Sequence, residues 1–403
     1  MATPRSKLPL PAIEGGTPVR ASLLPYGRQT VTEDDIQAVV AALRSDWLTT
    51  GPKVAEFEEC LAAAVGASHA VAFSSGTAAL HATAFAAGLA PGDEAITTPL
   101  TFAATANCML YQGATPRFAD ITNDTLNLDP AQVEAKLTSQ TRAIYAVDYA
   151  GHPADLDALA QIAARHKLLL VEDACHALGA QYGDRPVGSI AHMTVFSFHP
   201  VKHVTTGEGG MVTSGDAQLA QRLRTFRNHG INSDSHQRQA AGQWHYEMTE
   251  LGYNYRLPDV ACALGISQLA RLPQNLARRR AIAEHYRQAM ASLPGVILPA
   301  VRPEANPAWH LYPIRIDGGR LRVGRAEVFR ALRAENIGVN VHYPPLHLHP
   351  YYRQRFDYRG GEFPLAEAAY EQLLSLPMFH GMSDADVEDV IAAVTKVVSY
   401  YAR

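Results

Sequence analysis

A lysine and an acidic pair follow two apolar runs of the chain, where a strand could present reactive groups. Glu172 and Asp173 come directly after Leu168–Val171, and Lys202 follows Val195–Phe198. A lysine amine forms Schiff bases, and a carboxylate can hold the proton of a pyridine nitrogen, which is what pyridoxal phosphate requires of a protein. Taken alone, Asp173 could also cap a helix or bind a ribose or a metal, and Lys202 could be a surface residue.

A third feature is a run of small residues, Phe73–Leu80, which leads from a predicted strand into a predicted helix. The free N–H groups at a helix N-terminus, together with the hydroxyls of Ser75 and Thr77, would form a phosphate cradle. Serine and threonine are also ordinary helix caps, so this feature is weak by itself. Combined with Asp173 and Lys202, it predicts a pyridoxal-phosphate enzyme.

Several motifs resemble the DegT/DnrJ/EryC1/StrS family of sugar aminotransferases, in the same order and from about Tyr26 to Tyr352. They are Thr49-Thr-Gly-Pro52, Ser75-Gly-Thr77, Glu172-Asp-Ala174, Phe196-Ser-Phe-x-x-x-Lys202, Gly207-Glu-Gly-Gly210 and Gly252-Tyr-Asn-Tyr-Arg256. Three segments are most similar to the pseudaminic acid branch of the family: Cys175-His-Ala-Leu-Gly179, Phe198-His-Pro-Val-Lys202 and His347-Leu-His-Pro-Tyr-Tyr352. This resemblance implies transfer of the amino group of L-glutamate to C4 of a UDP-linked 4-keto-6-deoxy-N-acetylhexosamine, for a surface polysaccharide.

The resemblance also implies roles for individual residues. Lys202 would be the catalytic residue, holding pyridoxal 5′-phosphate as a Schiff base and then moving a proton. The cofactor would also contact Gly76, Thr77, Phe102, Asp173, His176, Ser197 and, from a partner subunit, Asn254. The nucleotide sugar would contact Tyr26, Leu48, Thr49, Thr50, Gly51, Ser75, Asn340, His342 and Tyr343. The active site would therefore lie at the interface of a homodimer.

The elements that must position these residues alternate between short β-branched runs and helical stretches over residues 68–215, which predicts an α/β fold with a mostly parallel sheet. Ligands of such sheets bind beyond the carboxyl ends of the strands. The resemblance implies the aspartate aminotransferase-like fold, called PLP fold type I, with seven strands in a large domain and a smaller C-terminal α+β domain. We expect an N-terminal arm over 1–30, a large domain over 31–270 and a small domain over 271–403. Within the last, Leu311–Ile316 and Val339–Tyr343 read as strands, and Arg278–Arg280 read as a solvated helix face.

Composition and missing motifs exclude other classes of protein. The 403 residues are 47% hydrophobic with a net charge of −4, which is typical of globular proteins and argues against a nucleic-acid partner. We expect no membrane segment and no signal peptide, and the four scattered cysteines favour a cytoplasmic location. The chain has no G-x-G-x-x-G, Gly-Lys or G-x-S-x-G sequence, and His342, His347 and His349 read as a pocket loop without a metal.

Two alternatives to the pseudaminic reaction stay open. The first is an aminotransferase for another 3-keto or 4-keto nucleotide sugar. The second is a catalytically silent protein of the same fold, which would be expected to lose the lysine, the acid or the cradle. A dehydratase of this fold is disfavoured because it would carry a histidine in place of Lys202.

Overall fold

The computed structural model describes residues 9–233 and 242–403. The α-helices are α1 (Glu33–Leu43), α2 (Pro52–Val65), α3 (Gly76–Ala86), α4 (Ala103–Tyr111), α5 (Pro130–Ala135), α6 (Leu156–His166), α7 (Ala217–Arg227), α8 (Asp259–Ala270), α9 (Leu272–Met290), α10 (Arg325–Ala334), α11 (Pro350–Phe356), α12 (Pro364–Gln372) and α13 (Asp384–Tyr401). The strands are β1 (His69–Phe73), β2 (Glu94–Thr97), β3 (Thr115–Phe118), β4 (Thr141–Val147), β5 (Leu169–Asp173), β6 (Gln181–Tyr182), β7 (Arg185–Pro186), β8 (Met193–Ser197), β9 (Gly210–Ser214), β10 (Val296–Ile297), β11 (Ala305–Asn306), β12 (Tyr312–Ile316) and β13 (Leu373–Leu376). Among these helices, none combines the length and apolar character that crossing a bilayer requires.

The main sheet has seven strands in the order β1-β9-β8-β5-β4-β2-β3, and only β9 runs antiparallel to its neighbours. Strand β5 is central and apolar on both faces, since Val171 packs into one hydrophobic core and Leu170 into another. Helices α3, α4 and α7 cover the first face, and α6 covers the second. The predicted α/β fold with a mostly parallel sheet is confirmed, and the carboxyl ends of β5 and β8 meet at one edge.

The C-terminal part of the chain builds a separate core around the antiparallel sheet β10-β12-β13. Helices α9, α10 and α13 pack on it, and Leu24 from the N-terminal segment is buried in the same core. The exact division into an arm and two domains stays a prediction.

The predicted strand Val339–Tyr343 is wrong. Only Asn340 pairs, with Ser375 of β13, as an isolated bridge. The next residues leave the sheet because the Tyr149 hydroxyl donates to the His342 carbonyl at 2.5 Å and the Tyr343 hydroxyl bonds to His176. Contacts from the first half of the chain therefore override the local preference for a strand.

The interpretation of Arg278–Arg280 as a solvated face is also wrong, because none of the three side chains is exposed. Arg278 donates to the Met382 carbonyl and Arg280 to the Gly179 carbonyl, while Arg279 is fully buried. Helix α9 lies between the two parts of the molecule, where loop carbonyls can satisfy guanidinium groups. A run of arginines cannot reveal such partners from sequence.

Candidate active site

A cleft of about 430 Å³ opens at the carboxyl edge of the main sheet. The structure brings the following predicted residues together around it: Tyr26, Ser75, Gly76, Thr77, Phe102, Asp173, His176, Ser197, Lys202, His342 and Tyr343. We call the side formed by Gly76, Asp173, Ser197 and Lys202 the sheet wall. We call the opposite side, formed by Tyr26, His310, His342 and Tyr343, the loop wall.

The N-terminus of α3 forms one part of the sheet wall. Ser75 is the N-cap, and its hydroxyl accepts the Ala78 N–H at 3.1 Å. The amides of Gly76 and Thr77 precede Ala78, so they are among those that a helix N-terminus leaves free. A Cβ at Gly76 would lie 3.1 Å from the Ser197 Cβ, so glycine keeps this end of the cleft open.

Glu172 and Asp173 are adjacent at the end of β5 but have different surroundings, because successive strand residues point to opposite faces of the sheet. Asp173 lines the cleft, where its carboxylate accepts the Thr105 hydroxyl at 2.7 Å and the Cys175 N–H at 3.3 Å. Glu172 is fully buried behind the sheet and accepts the Thr194 hydroxyl at 2.8 Å. Only Asp173 is therefore available to a ligand.

Glu172 has a second acid beside it, Asp148, which is also fully buried. Burial raises the pKa of Glu172 to about 7, although hydrogen bonds from Thr194 and Asp148 act in the opposite direction. Burial and the charge of Glu172 together raise the pKa of Asp148 well above its usual range. At neutral pH the pair thus retains a proton, which keeps one negative charge out of the core behind Asp173.

Lys202 lies in the turn between β8 and β9, where its N–H donates to the His199 carbonyl at 2.9 Å. Burial lowers the pKa of its amine, whereas Cys175 and Asp173 favour the charged form. A lysine amine must be uncharged to attack a carbonyl carbon. The site therefore moves Lys202 toward its nucleophilic form.

Tyr343 of the loop wall meets His176, and its hydroxyl oxygen lies 3.1 Å from the His176 Nε2. The His310 ring packs against His176 with its centroid 4.4 Å away. Burial and the nearby Lys202 charge lower the pKa of both histidines well below the usual range. Phe102 is 59% exposed at the start of α4, and its ring centroid lies 6.1 Å from that of Tyr343.

His342 is fixed by a nearby residue and by groups from two distant segments. Its Nδ1 lies 2.9 Å from the Ser375 hydroxyl and its Nε2 lies 3.4 Å from the Asn340 amide. The Tyr26 ring packs against it with a centroid distance of 5.5 Å. Asn340 thus supports the loop wall through His342 and does not itself line the cleft.

The structure does not bring the remaining predicted residues into this cleft. Asn254 is exposed and pairs with Asn228 in a two-residue bridge. Leu48 and Thr49 are exposed, while Thr50 and Gly51 line a second cavity of about 620 Å³. Gly51 there donates its N–H to Asp259 at 2.7 Å.

Sequence reasoning did not single out Thr105 or His310. Thr105 comes three residues after Phe102, so helical spacing could have indicated that it faces the same strand end. His310 carries no local signal, because it reaches the cleft from a loop before β12. Only the packing of the C-terminal part against the main sheet places it there.

Two carboxylates lie near His347 in the structure, although neither is close to it in the sequence. Glu367 lies 2.9 Å from its Nε2, and Glu362 completes a cluster whose ligand atoms lie within 4.8 Å of one another. Backbone N–H groups of Gly360 and Gly361 already donate to these carboxylates. The absence of a metal site stays a prediction.

The cleft suits pyridoxal phosphate. An amine, a carboxylate and a helix N-terminus line one cavity, and a Cβ at Gly210 would lie 2.5 Å from the Ser75 carbonyl oxygen, beside the cradle. In addition, the Nδ1 of His176 is buried without a hydrogen-bond partner among the described residues. The amine, the carboxylate and the helix N-terminus are the groups that an aldehyde, a protonated pyridine and a phosphate need.

Comparisons with known proteins agree with this chemistry. The DegT/DnrJ/EryC1/StrS aminotransferase family matches residues 29–395. The chain is 45% identical over 381 residues to the spore coat polysaccharide biosynthesis protein SpsC of Bacillus subtilis, covering 94% of this chain and 98% of that protein. It is 39% identical over 382 residues to the UDP-4-amino-4-deoxy-L-arabinose–oxoglutarate aminotransferase of Shewanella sediminis, covering 93% of this chain and 98% of that protein.

Among solved structures, the fold matches PseC of Helicobacter pylori, an aminotransferase involved in the biosynthesis of pseudoaminic acid. The TM-score is 0.88 and the sequence identity is 32%, with 94% of this chain and 100% of that chain covered. Together with the strand order, this match confirms the predicted PLP fold type I.

Proposed function

Because the chain belongs to the DegT/DnrJ/EryC1/StrS aminotransferase family, whose members are pyridoxal-phosphate-dependent sugar aminotransferases, we propose a specific reaction for it. The amino group of L-glutamate is transferred to C4 of a UDP-linked 4-keto-6-deoxy-N-acetylhexosamine. The observation that carries this proposal is the meeting of Lys202, Asp173 and the α3 N-terminus with a His176–Tyr343 pair in one cleft.

Lys202 is the catalytic residue of this proposal. Bound pyridoxal phosphate supplies the aldehyde that receives the amino group and a ring that withdraws electrons. The Lys202 Nζ would hold the cofactor and, when free, would take the proton from the donor's Cα as a general base. Its lowered pKa supports this role, because a larger fraction of the amine is free to accept a proton.

Asp173 keeps the pyridine nitrogen protonated, which maintains the ring as an electron acceptor. The Thr105 hydroxyl and the Cys175 N–H orient its carboxylate. Gly76, Thr77 and Ser197 bind the phosphate at the α3 N-terminus, where the helix dipole favours an anion. Phe102, which lines the same cleft, would contact the cofactor ring.

The loop wall binds the sugar in this proposal. His176 would contact the cofactor, while its partner Tyr343 would offer a hydrogen-bonding group to the sugar, and Tyr26 and His342 line the same cleft. The low pKa of His176 supports a neutral imidazole, which can both donate and accept. A polar pair of this kind rejects sugars that leave it unpaired.

We propose that a homodimer completes the site, with Asn254 reaching the phosphate of the partner's cofactor and the segment 48–51 reaching its nucleotide sugar. The exposure of Asn254 outside its own cleft supports this arrangement. Large apolar side chains are exposed on the same segments, notably Trp47, Leu48, Leu251 and Tyr253. A partner chain that packs on these segments would cover these exposed apolar side chains.

The proposed amino donor and the proposed cellular compartment each have separate support. The relative from Shewanella sediminis is an oxoglutarate aminotransferase by name, which supports glutamate as the donor. The cysteines Cys60, Cys108, Cys175 and Cys262 are all free, which supports a reducing cytoplasm.

The reaction is tested by NMR identification of the product formed from L-glutamate and the UDP-4-keto-6-deoxy-N-acetylhexosamine. We expect a new C4–N bond with stoichiometric 2-oxoglutarate. A reaction without enzyme, and one with L-alanine in place of glutamate, are the controls. Amination at another carbon, or no amination of this sugar, would contradict the substrate assignment.

A second candidate is amination of another 3-keto or 4-keto nucleotide sugar. It is favoured by the 39% identity to an enzyme named for a UDP-linked 4-amino pentose. The same assay with a UDP-4-keto pentose distinguishes the two, since the better substrate has the higher kcat/KM.

A further inference from the structure

Asp259, the first residue of α8, is a fully buried carboxylate that binds the main chain of a distant segment. Its Oδ2 accepts the Gly51 N–H at 2.7 Å, and its Oδ1 accepts the Lys53 N–H at 2.9 Å. Its own N–H donates to the Leu48 carbonyl at 3.0 Å. Three hydrogen bonds therefore tie one residue to both ends of the segment 48–53, and we call them the Asp259 clamp.

The clamp requires glycine at position 51. A Cβ at Gly51 would lie 2.6 Å from the Asp259 Oδ1 and closer still to the Trp47 Cβ. Side-chain atoms do not approach one another so closely, so glycine is what lets the segment reach the carboxylate. The local sequence around Gly51 thus depends on a residue that lies 208 positions later in the chain.

The clamp also encloses a strained residue. Thr50 has a left-handed φ of 55°. This conformation is unfavourable for a β-branched residue and persists only where the surrounding contacts impose it. The Leu48 carbonyl before Thr50 and the Gly51 N–H after it are both bonded to Asp259, so the clamp holds the strained residue from both sides.

The clamped segment faces outward, whereas Asp259 does not. Leu48 is 54% exposed, Thr49 is exposed, and Thr50 and Gly51 line the second cavity. Asp259 lines neither that cavity nor the cleft. It therefore acts on a bound molecule only through the main chain of the segment.

We propose that Asp259 is a positioning residue for the nucleotide sugar, which holds the segment 48–51 in its binding conformation before the substrate arrives. This inference rests on the proposed function, which assigns this segment to the nucleotide sugar of the partner's cleft. A segment that is already ordered loses little conformational freedom on binding, so its affinity for the substrate is higher. A carboxylate suits this role because each of its two oxygens accepts one N–H.

The variant Asp259→Asn tests the proposal. Asparagine has the shape of aspartate but only one side-chain oxygen, so the N–H of Gly51 or of Lys53 would face an amide NH2 and stay unpaired. The matched control is Asp120→Asn. Asp120 is also buried, and its two oxygens accept N–H groups at the start of α12, outside the cleft.

Both variants and the wild type are measured as pyridoxal-phosphate-loaded enzymes, with L-glutamate and the UDP-linked 4-keto sugar. We expect both variants to have a lower melting temperature, because each leaves a buried N–H unpaired. Only Asp259→Asn should raise the KM for the sugar, by about tenfold, while kcat and the glutamate half-reaction stay within about twofold of wild type. Calorimetric titration with UDP-N-acetylglucosamine, which has no keto group to react, should show the same loss of affinity.

An unchanged KM for the sugar in Asp259→Asn, or an equal rise in Asp120→Asn, would overturn the proposal. If Asp259→Asn does not fold, Gly51→Ala decides, because its added methyl group meets the Asp259 carboxylate and disturbs the clamp while Asp259 is unchanged. A raised KM for the sugar with an unchanged glutamate half-reaction supports the proposal, and an unchanged KM overturns it. No amination of the sugar by the wild type would instead contradict the proposed function on which the inference rests.

Discussion

The sheet wall and the loop wall of the cleft are held in place by different means. Asp173, Ser197 and Gly76 stand at the ends of β5 and β8 and at the start of α3, so hydrogen-bonded secondary structure fixes them. The loop wall has no strand through its cleft residues, and single hydrogen bonds from distant segments fix it. The Tyr149 hydroxyl, for example, reaches the His342 carbonyl across 193 residues of sequence.

This difference suggests a division of labour. In the proposed function, groups on the sheet wall serve the cofactor, which takes part in both halves of a transamination. Groups on the loop wall would then contact the sugar, which differs from one relative to another. Loops can change without disturbing a sheet, so a rigid wall for shared chemistry and an adaptable wall for specificity are compatible in one cleft.

The largest expected effect comes from the sheet wall. Lys202→Ala should lower turnover about ten-thousand-fold or more, because it removes both the covalent attachment and the general base. Steady-state kinetics with glutamate and the keto sugar measure it. Lys136→Ala, at the residue that follows helix α5, is the control and should keep wild-type activity. Normal turnover in Lys202→Ala would refute the site assignment.

The next effect compares two neighbours on one strand. Asp173→Asn should lower kcat about a hundred- to a thousand-fold, because an amide cannot stabilise a protonated pyridine. Glu172→Gln should change kcat less than about threefold, because Glu172 faces away from the cleft and retains much of a proton at neutral pH. Similar losses in both variants would mean that the acids contribute through the fold rather than through the cofactor.

The raised pKa of Glu172 predicts that the stability of the fold depends on pH. Its pKa is about 7 in the folded protein against 4.5 ordinarily, so the folded state binds more protons between these values. The free energy of unfolding should therefore fall as pH rises from about 4.5 to about 7. Urea unfolding at several pH values measures it. Glu172→Gln should flatten the slope, whereas the exposed control Glu134→Gln should not; an equal slope in all three proteins would contradict the prediction.

The smallest effect tests the loop wall. Tyr343→Phe removes the hydroxyl that bonds to His176, so we expect amination of the sugar to slow about tenfold. The glutamate half-reaction should stay within about twofold of wild type. Rapid mixing of each substrate with the enzyme separates the two. Tyr352→Phe, which loses a hydroxyl contact to Asn107 outside the cleft, is the matched control. If Tyr343→Phe slowed both half-reactions equally, the proposal that the loop wall acts mainly on the sugar would be contradicted.

The same contrast explains which features the sequence could predict. The predicted strand at Leu168–Val171 is present and shifted by only one or two residues, and a helix begins within Phe73–Leu80 as predicted. Both features depend on local sequence patterns. Arg279 was predicted to face solvent and Val339–Tyr343 to form a strand, and both predictions are wrong. Their conformations depend on carbonyl and hydroxyl partners that lie elsewhere in the chain.

The sequence by itself determined the cofactor chemistry and the sheet wall. Lysine, aspartate and a small-residue helix start are each tied to a neighbouring strand, and parallel strands bring their carboxyl ends to one edge. Only the tertiary structure decided the loop wall, the burial of Arg279 and the exposure of Asn254. These positions result from contacts between segments far apart in sequence, and such contacts leave no periodic pattern in the segments that make them.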